Sequence, residues 1–135
     1  MTNEQIKNYT LKIADSNPTE VIVIVFELAQ IYLDEAIKKQ RENDFDGFKL
    51  CINKATNCIN DLIESLDLSF DIARGLLNIY LFINRELSLS IIKYDENTLT
   101  RIISMLNKLQ KSFEELSKTD TSGKAFKNAQ YEYRC

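Results

Sequence analysis

Cysteine is the most reactive side chain in this sequence, and the chain of 135 residues carries three of them. Cys51 and Cys58 lie seven residues apart, which on a helix corresponds to two turns, or about 10 Å. That separation is too long for a disulfide bond between the two residues. Cys135 is the last residue of the sequence. Thiols could bind a metal or act in redox chemistry, but we expect all three to be reduced and structural or incidental.

Other catalytic side chains are scarce. The sequence has no histidine, which is the commonest general base and a usual zinc ligand, so Ser-His-Asp, Cys-His and Glu-x-x-His sites are excluded. Gly47, Gly75 and Gly123 are isolated, so no Gly-rich loop is present to bind a phosphate. Adjacent carboxylates such as Glu114 and Glu115 do not share a helix face. We therefore predict a binding protein without a cofactor or metal, rather than an enzyme.

The composition narrows the class of partner. The net charge near -3 gives no electrostatic reason to expect nucleic acid binding. No apolar stretch of membrane-spanning length is free of charge, and the N-terminus lacks the pattern of a secretion signal, so we predict no membrane insertion and a cytoplasmic location. A hydrophobic content of 44% with only three Gly and one Pro favours a few long helices joined by short links.

The stretch NPTEVIVIVFELAQIY contains six consecutive apolar residues that could form a strand in isolation. Its context instead predicts a helix over residues 18–42, because Asn17 can cap it, Pro18 fits its first position and Glu20 lies three residues after the cap. No turn signal follows the β-branched run, and good helix formers continue the chain.

Three further helices are predicted over residues 46–66, 70–93 and 96–118, the last capped by Asp95 or Asn97. Each of the four predicted helices has one main apolar stripe, which is expected to face the core. The expected core residues are Ile22, Val25, Phe26, Ala29, Leu33, Ala36, Ile37, Phe48, Ile52, Ala55, Ile59, Leu62, Ile63, Leu66, Ala73, Leu76, Tyr80, Ile83, Leu87, Leu99, Ile102, Leu106, Leu109, Phe113 and Leu116. The short links predict an all-α, antiparallel up-down-up-down four-helix bundle over residues 17–118.

The two chain ends are predicted to lie outside the bundle. Residues 1–16 are polar with a few apolar anchors and are expected to form a short N-terminal arm or helix that could cover a groove. Residues 119–135 have the composition of a weakly ordered tail.

The first and third predicted helices carry more apolar surface than a simple bundle needs. The extra residues are Val21, Ile24, Leu28 and Ile31 on the first helix, and Phe70, Leu77, Leu81 and Ile92 on the third. Wide apolar faces could pack into a broad core or under the chain ends, could form a groove for a partner helix guarded by the N-terminal arm, or could mediate homodimerisation. The hypothesis of a partner groove assigns binding to Ile6, Tyr9, Val21, Ile24, Leu28, Ile31, Leu77, Leu81 and Ile92. Arg85 lies opposite the core stripe, where a surface or ion-pair role is expected.

The first half of the sequence resembles the FliS family, the flagellar export chaperones for flagellin. That family begins its first helix with a Ser/Thr-Pro-x-Glu type of cap followed by a long apolar stretch, as in SNPTEVIVIVFELAQIYLDEAI. The family also carries a tyrosine about ten residues before the proline, and here Tyr9 precedes Pro18 by nine. Its second helix, with Lys-Ala followed by paired apolar residues and Leu, is similar to INKATNCINDLIESLD.

The second half extends the resemblance to about residues 5–118. The family pattern Leu-Tyr-x-Tyr-Met-x-Arg-Arg-Leu is similar to LLNIYLFINREL, where Tyr80, Arg85 and Leu87 match. Three positions differ from the family pattern: Phe82 replaces the second tyrosine, Ile83 replaces the methionine, and Glu86 replaces the second arginine. Phe113 in NKLQKSFEEL stands where the family often has tryptophan.

The resemblance implies an antiparallel helical bundle without enzymatic activity. Members of this family bind the C-terminal helical segment of newly made flagellin in the cytoplasm, prevent its premature polymerisation and aid its delivery to the flagellar export apparatus. The mode of binding would be a helix in an apolar groove. The alternative is a self-associating helical-bundle adaptor or structural protein of another secretion or signalling system.

Overall fold

The computed structural model of the protein describes Gln5 and residues 18–119. Its elements are α1 (Pro18–Arg41), α2 (Phe45–Glu64), α3 (Asp71–Lys93) and α4 (Glu96–Thr119). The predicted all-α fold with four helices is confirmed, and each predicted helix boundary lies within two residues of the observed one. The predicted arm over residues 1–16 and almost all of the predicted tail over residues 119–135 lie outside the described residues.

The β-branched run near the start of the chain is helical, as its context predicts. α1 begins at Pro18, while the predicted cap, Asn17, lies outside the described residues. β-branched residues are weak helix formers, but the run is buried on more than one side of α1, so packing outweighs local propensity.

Side-chain caps mark the starts of α2 and α4, and a left-handed residue follows the end of α3. The Asp44 side chain accepts a hydrogen bond from the Gly47 N–H at 2.9 Å and caps α2. Asp95 accepts from the Asn97 N–H at 2.9 Å in front of α4, so of the two predicted caps the structure selects Asp95. Tyr94 directly follows the last residue of α3 and has a left-handed backbone, with φ 52° and ψ 51°.

The four helices form an antiparallel bundle in which α1 and α3 lie on a diagonal. α1 packs mainly against α2 and α4, and α3 packs against the same two helices. Polar bonds fix the directions: Arg41 pairs with Glu96 at 2.5 Å, whereas Gln30 donates to Gln110 at 2.6 Å further along. α1 therefore runs opposite to α4.

The predicted core stripes meet inside the bundle. Of the predicted core residues, Ile37, Ile63, Leu109 and Leu116 are partly buried, and the rest are buried. Phe26 lies at the centre, with its ring centroid 6.3 Å from that of Tyr80 and 5.4 Å from that of Phe113. Rings from α1, α3 and α4 thus meet across the bundle, which fills the diagonal between α1 and α3. In the described part of the chain, no helix has a stretch long and apolar enough to cross a bilayer.

Candidate functional site

The second apolar stripe of α1 is covered rather than open. Val21, Ile24 and Leu28 are 4%, 7% and 1% exposed, and Ile31 is half-buried. For α1, the structure thus agrees with the alternative in which a wide apolar face packs into a broad core or under the chain ends. Binding of a partner to these three side chains would require displacement of whatever covers them.

The second apolar stripe of α3 is largely open. Leu81 and Ile92 are 51% and 81% exposed, and Phe70 at the helix start is 37% exposed. Leu77 differs, because it is half-buried and packs against the core. The surplus of apolar surface therefore persists on α3 but not on α1.

Two exposed residues extend this stripe and were missed as partner-binding candidates by the sequence reasoning. Phe82 is 39% and Leu89 is 36% exposed. Helical spacing could have found both, since they lie seven residues apart and flank the position of Arg85. We define the outer strip of α3 as Leu81, Phe82, Arg85, Leu89 and Ile92.

Arg85 lies in the middle of the outer strip. Its guanidinium carbon is 5.4 Å from the centroid of the Phe82 ring, in a cation–π contact. Arg85 is exposed, and within the described residues no carboxylate forms an ion pair with it. The predicted surface position of Arg85 is confirmed.

The adjacent face of α2 is polar, with an uncharged middle between the exposed Lys49 and Glu64. Asn53, Asn57 and Asn60 are exposed at helical spacing on one side of α2. Asn60 accepts a hydrogen bond from the Asn84 side chain of α3 at 2.8 Å, which places this row beside α3. Asn84 Oδ1 is buried without a hydrogen-bond partner.

The charged residues in the middle of α2 point elsewhere. Between residues 50 and 63 they are Lys54 and Asp61. The Lys54 ammonium lies 5.5 Å from the centroid of the Tyr32 ring of α1, and Asp61 is buried at 6% exposure. The middle of the surface formed by α2 and α3 is consequently poor in charge, whereas exposed charged residues lie near the helix ends.

The opposite surface, formed by α1 and α4, is rich in charge. Each of these helices carries seven Asp, Glu, Lys or Arg residues. Gln110 donates to Glu27 at 3.3 Å and to Glu114 at 2.9 Å across and along the two helices. Desolvation raises the pKa of the Asp34 carboxyl on this side.

A cleft of about 440 Å³ opens on the charged surface. It is lined by Ile31, Asp34, Glu35, Ile37, Lys38, Arg41, Glu96 and Thr100. The predicted binding residue Ile31 therefore lies in a polar cleft, whereas Leu81 and Ile92 lie on the diagonally placed helix. The structure does not bring the candidates of α1 and α3 into one groove. Ile6 and Tyr9 lie outside the described residues.

Cys51 is a free, buried thiol whose pKa is raised, first by burial and then by the negative charge of Glu35. The predicted reduced, structural role is therefore confirmed for Cys51. Cys58 is buried in the core, and Cys135 lies outside the described residues.

The arrangement on α2 and α3 suits the binding of a protein segment. Interface centres are depleted in charge and enriched in aromatic residues and arginine, and the outer strip of α3 has this composition. Within residues 18–119, no cluster of three Cys, Asp or Glu side chains is arranged to hold a metal ion.

A comparison with models of protein families identifies a match over most of the chain. The model of a family described as flagellar protein FliS matches residues 1–120. No curated protein matches the chain significantly.

Proposed function

The chain belongs to the FliS family of flagellar proteins, and from this premise we propose that it binds the C-terminal helical segment of flagellin. The family is one of flagellar export chaperones rather than enzymes. In the proposed role, the protein acts in the cytoplasm, prevents premature polymerisation of flagellin and aids its delivery to the flagellar export apparatus.

The observation that carries this proposal is the outer strip of α3. Ile92 is 81% exposed and Leu81 is 51% exposed, and both are long apolar side chains on one side of a well-formed helix. Covering such side chains is worth about 1.5–3 kcal/mol each when burial is complete. A flagellin segment with an apolar face would gain from the same contact, because its own face would also leave water.

The proposed contact is a helix laid along a groove beside α3. The outer strip of α3 would bind apolar side chains of the segment, and the uncharged row of Asn53, Asn57 and Asn60 would form the polar rim. Only part of the burial energy would appear as affinity, since association costs translational and side-chain freedom.

The α1 residues and the N-terminal arm remain a prediction within this proposal. Val21, Ile24 and Leu28 would become a second contact for flagellin only if their cover moved away. The sequence-based hypothesis assigns such a covering role to the arm, through Ile6 and Tyr9.

Titration calorimetry with a peptide of the flagellin C-terminal segment tests the proposal. The wild-type protein should bind with a stoichiometry of about one. Leu81→Glu should weaken binding at least about tenfold, because it buries a charge in the contact. Leu68→Glu is the matched control, since Leu68 is also an exposed leucine, at 49%, but lies in the link between α2 and α3, away from both the outer strip of α3 and the Asn row of α2.

Both variants should keep the helical circular dichroism of the wild type, because both side chains are exposed. Absence of binding by the wild-type protein, or equal binding by the Leu81→Glu and Leu68→Glu variants, would contradict the proposal.

A second copy of the chain could cover the same strip in a self-associating adaptor. Size-exclusion chromatography with light scattering separates the two functions. A tight dimer that does not take up the flagellin peptide would support the adaptor instead.

A further inference from the structure

Charge is nearly absent from the face on which the proposed partner binds. Between residues 75 and 92 of α3, the charged residues are Arg85 and Glu86. Glu86 is half-buried, whereas Arg85 is exposed at the centre of the outer strip. On that strip, the guanidinium is therefore the single ionic group among apolar side chains.

The guanidinium of Arg85 is held in place by the Phe82 ring, 5.4 Å from the ring centroid. A cation–π contact draws on the positive charge and needs no acceptor for the guanidinium N–H groups, which therefore remain available for a carboxylate in bidentate geometry. The contact also removes part of the side chain's conformational freedom before any partner arrives, which lowers the cost of binding.

No group in the described part of the protein neutralises Arg85. The nearest charged residue in sequence, Glu86, forms no ion pair with it, and the arginines that do form ion pairs, Arg41 and Arg74, use Glu96 and Asp71. A partner that covered the outer strip without supplying a negative charge would leave a desolvated, unpaired cation, which is strongly unfavourable.

We infer that Arg85 is a specificity-determining residue that pairs with a carboxylate of the bound segment. The segment that fits the outer strip of α3 then has one Asp or Glu side chain opposite Arg85, with apolar residues on both sides that contact Leu81 and Leu89. This inference rests on the proposed function, since the probe is the flagellin C-terminal segment. It adds the chemistry by which the strip would distinguish this segment from other apolar helices.

A double-mutant cycle tests the inference. The protein variants are Arg85→Gln, Arg85→Lys and, as a matched control, Arg101→Gln, which removes an exposed arginine from α4 instead. The peptide variants are the flagellin C-terminal segment with each acidic residue replaced singly by its amide. Binding is measured by titration calorimetry at two salt concentrations.

Arg85→Gln should weaken binding of the unmodified peptide about 10- to 100-fold, a typical effect for an interfacial arginine that loses its carboxylate. Arg85→Lys should restore part of this loss, and Arg101→Gln should bind as the wild type does. One of the amide peptides should bind the wild-type protein as weakly as the unmodified peptide binds the Arg85→Gln variant. For that peptide, the Arg85→Gln substitution should cause no further loss of affinity.

The outcomes distinguish the two proposals. If the wild type binds the peptide and Arg85→Gln binds equally well, the inference is overturned and the proposed function stands. If Arg85→Gln weakens the binding of every amide peptide by the same factor, Arg85 has no carboxylate partner in the segment, and the inference is again wrong. If the wild type does not bind the peptide, the proposed function fails and the inference fails with it.

Discussion

The ring of Tyr94 meets the ring of Phe48 edge-on, with 4.9 Å between the ring centroids. This contact joins the end of α3 to the first turn of α2, and the Phe45 ring adds a second contact at 5.5 Å. The Gln40 side chain of α1 donates to the Tyr94 carbonyl oxygen at 2.6 Å. Three helices therefore converge on a residue whose left-handed backbone is unfavourable by about 1–2 kcal/mol for a side chain other than glycine.

Replacement of Tyr94 by glycine should destabilise the protein even though it relaxes the backbone. The Tyr94 ring is half-buried against two other rings, and its removal costs more than the backbone gains, so we expect the free energy of unfolding to fall by about 1–2 kcal/mol. Urea denaturation measures this change. Asn43→Gly is the control, because Asn43 has the same left-handed conformation at φ 59° but is exposed, and its change should stay within about 0.5 kcal/mol. A stabilised Tyr94→Gly variant would contradict this account.

Two glycines should respond in opposite directions to alanine. A Cβ at Gly75 would meet nothing within 4 Å, so Gly75→Ala should raise the free energy of unfolding by about 0.4–1 kcal/mol through helix propensity. A Cβ at Gly47 would collide with the Asp44 carboxylate. Because this displaces the cap of α2, Gly47→Ala should lower the free energy of unfolding by about 1 kcal/mol. Thermal unfolding of both variants in one buffer checks the sign of each change, and stabilisation by both would show that Asp44 does not cap α2.

Two leucines that look alike in sequence should differ in their contribution to stability. Leu28 is 1% exposed and Leu81 is 51% exposed. Leu28→Ala should cost about 2–5 kcal/mol, as for other buried leucines, whereas Leu81→Ala should cost less than about 1 kcal/mol. Equal destabilisation in chemical denaturation would mean that the outer strip of α3 is part of the fold rather than a surface.

Local signals were sufficient to predict the fold. The cap Asp95, the proline at the start of α1 and the single apolar stripes of α2 and α4 each act within a few residues of sequence, so their consequences can be read without tertiary information. Amphipathic helices with short links then leave few arrangements besides an antiparallel bundle.

The candidate site could be predicted only in part, because burial of a second stripe depends on which elements lie beside it. Val21 and Leu28 have the same helical pattern as Leu81 and Ile92, but only the α1 pair is covered. The diagonal placement of α1 and α3 separates these surfaces, and no local pattern encodes that placement. The role of Arg85 likewise depends on the scarcity of charge in the surroundings that the middle parts of α2 and α3 form together.

The thiol of Cys51 should be unreactive in the folded protein. Burial and, second, the Glu35 carboxylate raise the pKa of this thiol, so the folded protein favours the neutral form. The resulting contribution to the free energy of unfolding is present below the pKa of the unfolded chain and is lost as the pH rises through the raised pKa in alkaline solution. Iodoacetamide at pH near 8 should modify Cys51 at least about 100-fold more slowly in native buffer than in denaturant, as followed by peptide mass spectrometry. Glu35→Gln should leave most of this protection in place, because burial is the larger cause. Rapid native labelling of Cys51 would show that its part of α2 opens readily.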